Sequence, residues 1–142
     1  MPVVRELDPG ELDGWDAAAV DAPGGHVLQS RAWAAHRAAG GWHPRFLATG
    51  DVRAMVLVRP WPVLPGGSAY VPRGPVGLGT PWQAGSDQGA ALGETLAGIA
   101  AYLERTGVDV LASDAEVRAD DAAYAAALAG AGFHAIPEIQ PS

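Results

Sequence analysis

Three residues in this chain have the type and setting to do chemistry. Arg73 sits inside Pro72-Arg73-Gly74-Pro75, directly after the alternating run Ser68, Ala69, Tyr70, Val71. That run reads as the end of a buried strand. The two prolines fix φ and remove two backbone donors, so the sheet cannot simply continue. Gly74 is free to adopt a backbone shape closed to other residues. The result is a stiff, irregular strand exit with one cation at its centre. Asp114 follows a strand expected over 108–113. The C-terminal end of a strand is where ligand-facing residues of α/β sheets gather. A carboxylate there could take a proton from an attacking amine as a general base, or simply serve as a turn residue. Arg37 lies four residues after Trp33 on a short helix, so the two share a face. Its guanidinium could hold phosphate oxygens in a fork, or belong to a solvated helix surface.

Several other chemistries find no support. There is no cysteine, which excludes disulfides, thiol catalysis and Cys-based zinc sites within this chain. His26, His36, His43 and His134 are scattered, with no pair at metal-ligand spacing on one helix. No Gly-x-Ser-x-Gly elbow exists. No lysine is present for a phosphate loop, since all nine cations are arginine. A pyrophosphate cradle of the acetyl-CoA N-acetyltransferase kind needs consecutive backbone amides at a strand-to-helix junction. Here Arg73 and Gly77-Leu78-Gly79 are one residue too far apart, and Pro75 deletes an amide within the cradle.

The elements that must position these residues follow from pattern. Val3 to Leu7 alternates weakly, as an edge strand would. Asp8-Pro9-Gly10-Glu11 is a helix start with a capping box, and Leu12, Trp15, Ala19 and Val20 then share a helical face. Ser30 caps a helix over Arg31 to Ala39, ended by Gly40-Gly41. Trp42 to Ala48 and Arg53 to Trp61 pair as a hairpin about Thr49-Gly50-Asp51. Leu92, Leu96, Ile99 and Leu103 define an amphipathic helix. Val108 to Ser113 is a strand. Asp120 can cap a last helix ending near Ala131, and His134 to Ile139 is a final strand. Hairpin-linked strands come first and helix-linked strands after. This order predicts an α/β (α+β) mixed sheet with helices on both faces.

At 142 residues and 49 % apolar, the chain suits a single domain with its own core. Its net charge of -7 gives no general pull toward nucleic acid or anionic lipid. No basic segment leads into an apolar run at the start, and no apolar run is long enough to span a bilayer. A soluble, cytoplasmic protein, acting either free or at the inner face of the membrane but without stable membrane insertion, is the expectation. The chain closes just after its last expected strand, leaving a sheet edge open, so a truncated or split polypeptide with a missing C-terminal half is expected.

In order, the motifs resemble the first half of a FemABX-type peptidyltransferase. Leu28-Gln29-Ser30 with Trp33 and Arg37 is similar to that family's Q-S-x-x-W-x-x-x-K/R. Tyr70-Val71-Pro72-Arg73-Gly74-Pro75-Val76 is similar to its Y-I/V-P-x-G-P-V, the most specific of the four. The stretch 110–117 resembles a strand ending in D-P-E, with Ala115 in place of the proline. Gly132-Phe133 through Ile139-Gln140-Pro141 resembles G-F…x-Q-P.

The resemblance implies an acyl-CoA N-acyltransferase (GNAT)-like fold over residues 1–142, as the N-terminal half of a two-half enzyme. It implies aminoacyl transfer from aminoacyl-tRNA to the stem-peptide amine of a peptidoglycan precursor, either UDP-MurNAc-pentapeptide or lipid II, without organic cofactor or metal. Arg37 matches the basic residue that contacts the precursor's diphosphate. Arg73, Tyr70, Gln29 and Trp33 accompany it on the substrate-binding side, and Asp114 is the candidate base. Structural alternatives stand beside each: Trp33 as core, Gln29 bonding backbone near the strand exit, Arg73 pairing a carboxylate, Tyr70 as core with its hydroxyl near the cleft. The acidic charge suggests that the missing half would hold the tRNA, and this half by itself is expected to bind weakly and to be catalytically poor. Two other readings are a small acetyl-CoA-dependent N-acetyltransferase and a non-catalytic GNAT-like binding module.

Overall fold

The computed structural model describes residues 3–79, 88–115 and 120–134. Within them, five strands form one sheet in sequence order: β1 (Arg5–Glu6), β2 (His43–Thr49), β3 (Val52–Pro60), β4 (Gly67–Val71) and β5 (Val110–Ser113). The first four pair antiparallel, and β4 pairs β5 parallel. Connection length explains the change. Gly50, at φ 56°, turns β2 into β3 within a tight loop. A parallel neighbour needs a long crossover, and the 17-residue helix α2 (Gly89–Arg105) lies within it.

Alternation along β3 divides the core in two. Ala54 and Val56 face a cluster with Leu47, Ala69, Val71 and the α2 residues Leu96, Ile99 and Leu103. Helix α3 (Ala122–Gly130) adds Leu128 to that side, and Phe133 just beyond it packs there too. Met55 and Leu57 face the opposite cluster of Leu12, Trp15, Ala19, Ala34 and Val76, against which Trp33, Trp42, Phe46 and Tyr70 pack. Helix α1 (Arg31–Ala39) lies on this second side, over β2 and β3. Helices therefore cover both faces of a mixed sheet.

Three elements differ from expectation. Leu12, Trp15 and Ala19 are buried as the helical spacing requires, but Val20 is only half-buried. The backbone there is a 3-10 turn (Pro9–Glu11) and a later π-helical turn (Ala17–Asp21), not one helix. Gly10 and Gly14 weaken the helix, while the Trp15 indole donates to the Gln29 carbonyl at 2.8 Å and fixes the segment from outside. Helix α3 is capped by Asp121 rather than Asp120. Its carboxylate accepts from the Tyr124 amide at 2.9 Å, three residues on, as cap geometry demands. Strand β5 starts at Val110 because the Val108 amide is still bonded to the Leu103 carbonyl, closing the α2 terminus. Beyond His134, the expected final strand, together with Gln140, lies outside the described residues.

Candidate functional site

The exit of β4 is built from beneath. Gln29, fully buried, donates from Nε2 to the Pro72 carbonyl at 2.6 Å and to the Met55 carbonyl at 3.2 Å. Its Oε1 accepts from the Met55 amide at 2.6 Å. One side chain thus ties the bend to the middle of β3. Gly74 lies against it: a Cβ there would stand 2.8 Å from Gln29 Cδ and 2.9 Å from Val71 Cγ1. The Gly74–Pro75 peptide is cis. The Ser113 hydroxyl donates to the Gly74 carbonyl at 2.8 Å, which pins the bend to β5. Val76 then rejoins β3 through paired backbone bonds with Arg53, each 2.9 Å.

Held this way, Arg73 takes a left-handed backbone at φ 52°. Its amide donates to Asp114 Oδ1 at 2.7 Å, and its Nε lies 3.7 Å from Asp114 Oδ2. The Tyr70 hydroxyl donates to Oδ2 at 2.7 Å. A carboxylate offers about four lone-pair directions, so Asp114 keeps acceptor capacity, and 43 % of its side chain is open to solvent. Burial, then the bond and the negative charge of Asp114, push the Tyr70 phenol well above its ordinary value, against the opposing pull of Arg73 and Arg37. Tyr70 is therefore a hydrogen-bond donor throughout the physiological range. Tyr124 on α3 is also pushed up, first by burial and then by Asp114 and Asp121.

Arg37 comes from the neighbouring helix. Its guanidinium lies over two indoles, 5.8 Å from the Trp33 ring centroid and 5.6 Å from that of Trp42. Arg59, on the far arm of the hairpin, covers Trp42 at 4.2 Å and donates to the Gly40 carbonyl at 3.2 Å. Cation–π contacts orient a guanidinium without neutralising it. The field of Arg37 reaches Tyr70, so both belong to one electrostatic neighbourhood on the α1 side of the sheet.

Of the six sequence candidates, Tyr70, Arg73 and Asp114 meet directly. Arg37 does not touch them; it lies with Trp33, which is half-buried in the second core cluster, and acts on Tyr70 only through its charge. Gln29 lies below, with both ends of its amide engaged by backbone. Tyr124, Trp42 and Arg59 complete the surroundings and were not singled out from sequence. For Trp42 and Arg59 the only signal is their place at the ends of two paired strands. Tyr124 approaches Asp114 through helix docking, which no local pattern reports. Within the possible amide cradle, Arg73 N–H goes to Asp114, Val76 N–H goes to Arg53, and Pro75 has none. Among the described residues, no group of three or more His, Asp or Glu side chains could hold a metal ion, and no helix is long and apolar enough to cross a membrane.

No family model matches the sequence, and no curated protein matches it. A solved structure does: the crystal structure of FemX aligns over 93 % of this chain with a TM-score of 0.67 at 23 % identity. The fold is FemX-like. The chain spans 32 % of the FemX chain. At this identity the likeness concerns the backbone arrangement, and the side chains of the FemX-like domain must be argued from their own geometry.

Proposed function

We propose that the chain supplies one wall of a FemABX-type aminoacyltransferase site, the N-terminal half of a two-half enzyme. The supporting observation is the convergence of Tyr70, Arg73 and Asp114 at the exit of β4, with the charge of Arg37 reaching Tyr70, within a FemX-like fold. The substrates are aminoacyl-tRNA and a peptidoglycan precursor. The precursor's amine attacks the ester carbonyl, a C–N bond forms, and the C–O bond to the ribose breaks. The amine's proton passes to Asp114, and the departing ribose oxygen takes up a proton from water. Because the ester is already activated, the protein's work is positioning and proton removal. Arg37, braced by Trp33 and Trp42, binds the diphosphate. Arg73 and Tyr70 hold Asp114 in place and face the incoming peptide.

Acetyl-CoA chemistry is disfavoured because the amides of Arg73 and Val76 are bonded within the chain and Pro75 has none. Melting curves separate the two. Saturating UDP-MurNAc-pentapeptide should raise the melting temperature, with a gain of about 2.7 kcal/mol at a hundredfold excess over Kd. Arg37→Ala should lose most of that response, and acetyl-CoA should produce none. A response to acetyl-CoA, or none to the precursor, overturns the proposal.

A further inference from the structure

Arg5, Arg31, Arg45 and Arg73 each lie within ion-pair distance of a carboxylate. Arg53 donates to the Gly50 and Val52 carbonyls of its own turn. Arg37 and Arg59 differ. Among the described residues no ion pair joins either of them to an acid, although the chain's net charge is -7. Both lie instead on the Trp42 indole, at 5.6 Å and 4.2 Å from its centroid. Their guanidinium carbons are therefore within about 10 Å of each other, close to the screening length of ordinary buffer. Two like charges at that separation repel, and an indole orients them without neutralising them. An anion that reaches both removes the repulsion.

We propose that Arg59 joins Arg37 as the second arm of a clamp for a diphosphate group, with Trp42 as the spacer between the arms. A carboxylate would neutralise one arm and leave the other. A diphosphate diester carries a negative charge on each of its two linked phosphoryl groups, so each guanidinium can take a pair of oxygens in its fork. Nucleotide-linked and lipid-linked diphosphates share this chemistry. Arg37 already serves the diphosphate in the transferase reading. Arg59 is the new member, and its role toward substrate rests on that reading.

The arms come from different elements, Arg37 from α1 and Arg59 from β3. Leu57, two residues before Arg59, faces the core cluster on the α1 side, so strand alternation puts Arg59 on that face too. Ser68 stands opposite Arg59 in the ladder and adds a neutral hydroxyl to the same face. Arg59 also donates from Nη2 to the Gly40 carbonyl at 3.2 Å, which closes the end of α1. A guanidinium has several N–H donors, so this bond aims the fork and leaves the rest of it for a ligand. Arg59 is exposed and Arg37 half-buried.

Isothermal titration calorimetry of the full chain tests the clamp, with inorganic pyrophosphate as the probe and orthophosphate as the control. Pyrophosphate should bind more tightly than orthophosphate, and less tightly as salt rises. Arg37→Gln and Arg59→Gln should each weaken it at least about tenfold, the loss expected for one charge-assisted contact. Arg59→Lys should recover part of that loss. Circular dichroism and melting without ligand show whether each variant is folded. If Arg59 only closes α1, Arg59→Gln lowers the melting temperature and leaves pyrophosphate affinity intact, which overturns the proposal. So does a wild type that binds pyrophosphate no better than orthophosphate. UDP and geranyl diphosphate separate the two sources. Both should weaken in Arg59→Gln, the tighter one names the source, and either one keeping full affinity in that variant overturns the clamp. The two readings fail separately. Pyrophosphate binding that needs both arginines, with no melting response to UDP-MurNAc-pentapeptide, upholds the clamp and removes the transferase reading. Precursor binding that needs Arg37 and not Arg59 does the reverse.

Discussion

Arg73 occupies a backbone region that costs a residue with a Cβ about 1–2 kcal/mol. The bend above Gln29 imposes this, and the consequence is a guanidinium directed toward Asp114. Arg73→Gly should therefore be more stable than Arg73→Ala by about 1 kcal/mol in urea unfolding, because both lose the ion pair but only alanine keeps the strain. If the site binds precursor, both should lose affinity. That split between stability and binding would mark a residue held for its side chain. The phenols make a second prediction. Tyr70 and Tyr124 are raised above the ordinary tyrosine value of 10.0. Below that pH both states hold their protons and the contribution is fully present. As pH climbs past it, the unfolded chain loses protons that the folded chain keeps, so stability falls. Urea midpoints between about pH 9 and 11 should decline, and Tyr70→Phe should flatten the decline. The sequence marked Arg73 through its prolines, but not its backbone angle, which depends on Gln29 from 44 positions earlier.

At the level of elements, Gln29 does the joining. It is the last residue of a short 3-10 turn, Val27–Gln29, and reaches both β3 and the β4 exit. Gln29→Ala strands the Met55 amide and the Pro72 carbonyl in the interior. Each orphaned group costs about 1–3 kcal/mol, so a loss of about 3–5 kcal/mol is expected in chemical denaturation, with the bend loosened. Gln29→Glu should be similarly harmful, since it replaces the donor with an acceptor facing two carbonyls. Helix α1 and the hairpin were legible because their signals are local: Ser30 caps by accepting from the Trp33 amide at 3.0 Å, and Gly50 makes the turn. The first helical segment was not, because Trp15 is fixed by a tertiary bond that outweighs the local spacing.

At the scale of the molecule, β1 is the shortest of the described strands, only two residues long. Its anchor is Glu6, which receives Arg45 at 2.6 Å and the Tyr102 hydroxyl of α2 at 3.2 Å; Arg45 also donates to Thr106 at 2.9 Å. The Arg45 hydrogen bond is the largest influence holding the Glu6 carboxyl below its ordinary 4.5. This contribution is present above that pH and is lost as pH falls through the lowered folded value. Glu6→Gln should reduce the acid sensitivity of the melting temperature, by about 1 kcal/mol or less because the pair is partly solvated. The sequence by itself determined the mixed α/β class, the hairpin, the stiff strand exit and the positions of Tyr70, Arg73, Arg37 and Asp114 within their own elements. These depend on spacing of apolar residues, caps and proline chemistry, all short-range. Only the tertiary structure decided that Asp114 meets Tyr70 and the Arg73 amide, that Gln29 braces the bend from below, and that Trp42 lies within reach of both Arg37 and Arg59. Those contacts join residues 5 to 44 positions apart, and sheet register and helix docking set them in a way that no local pattern encodes.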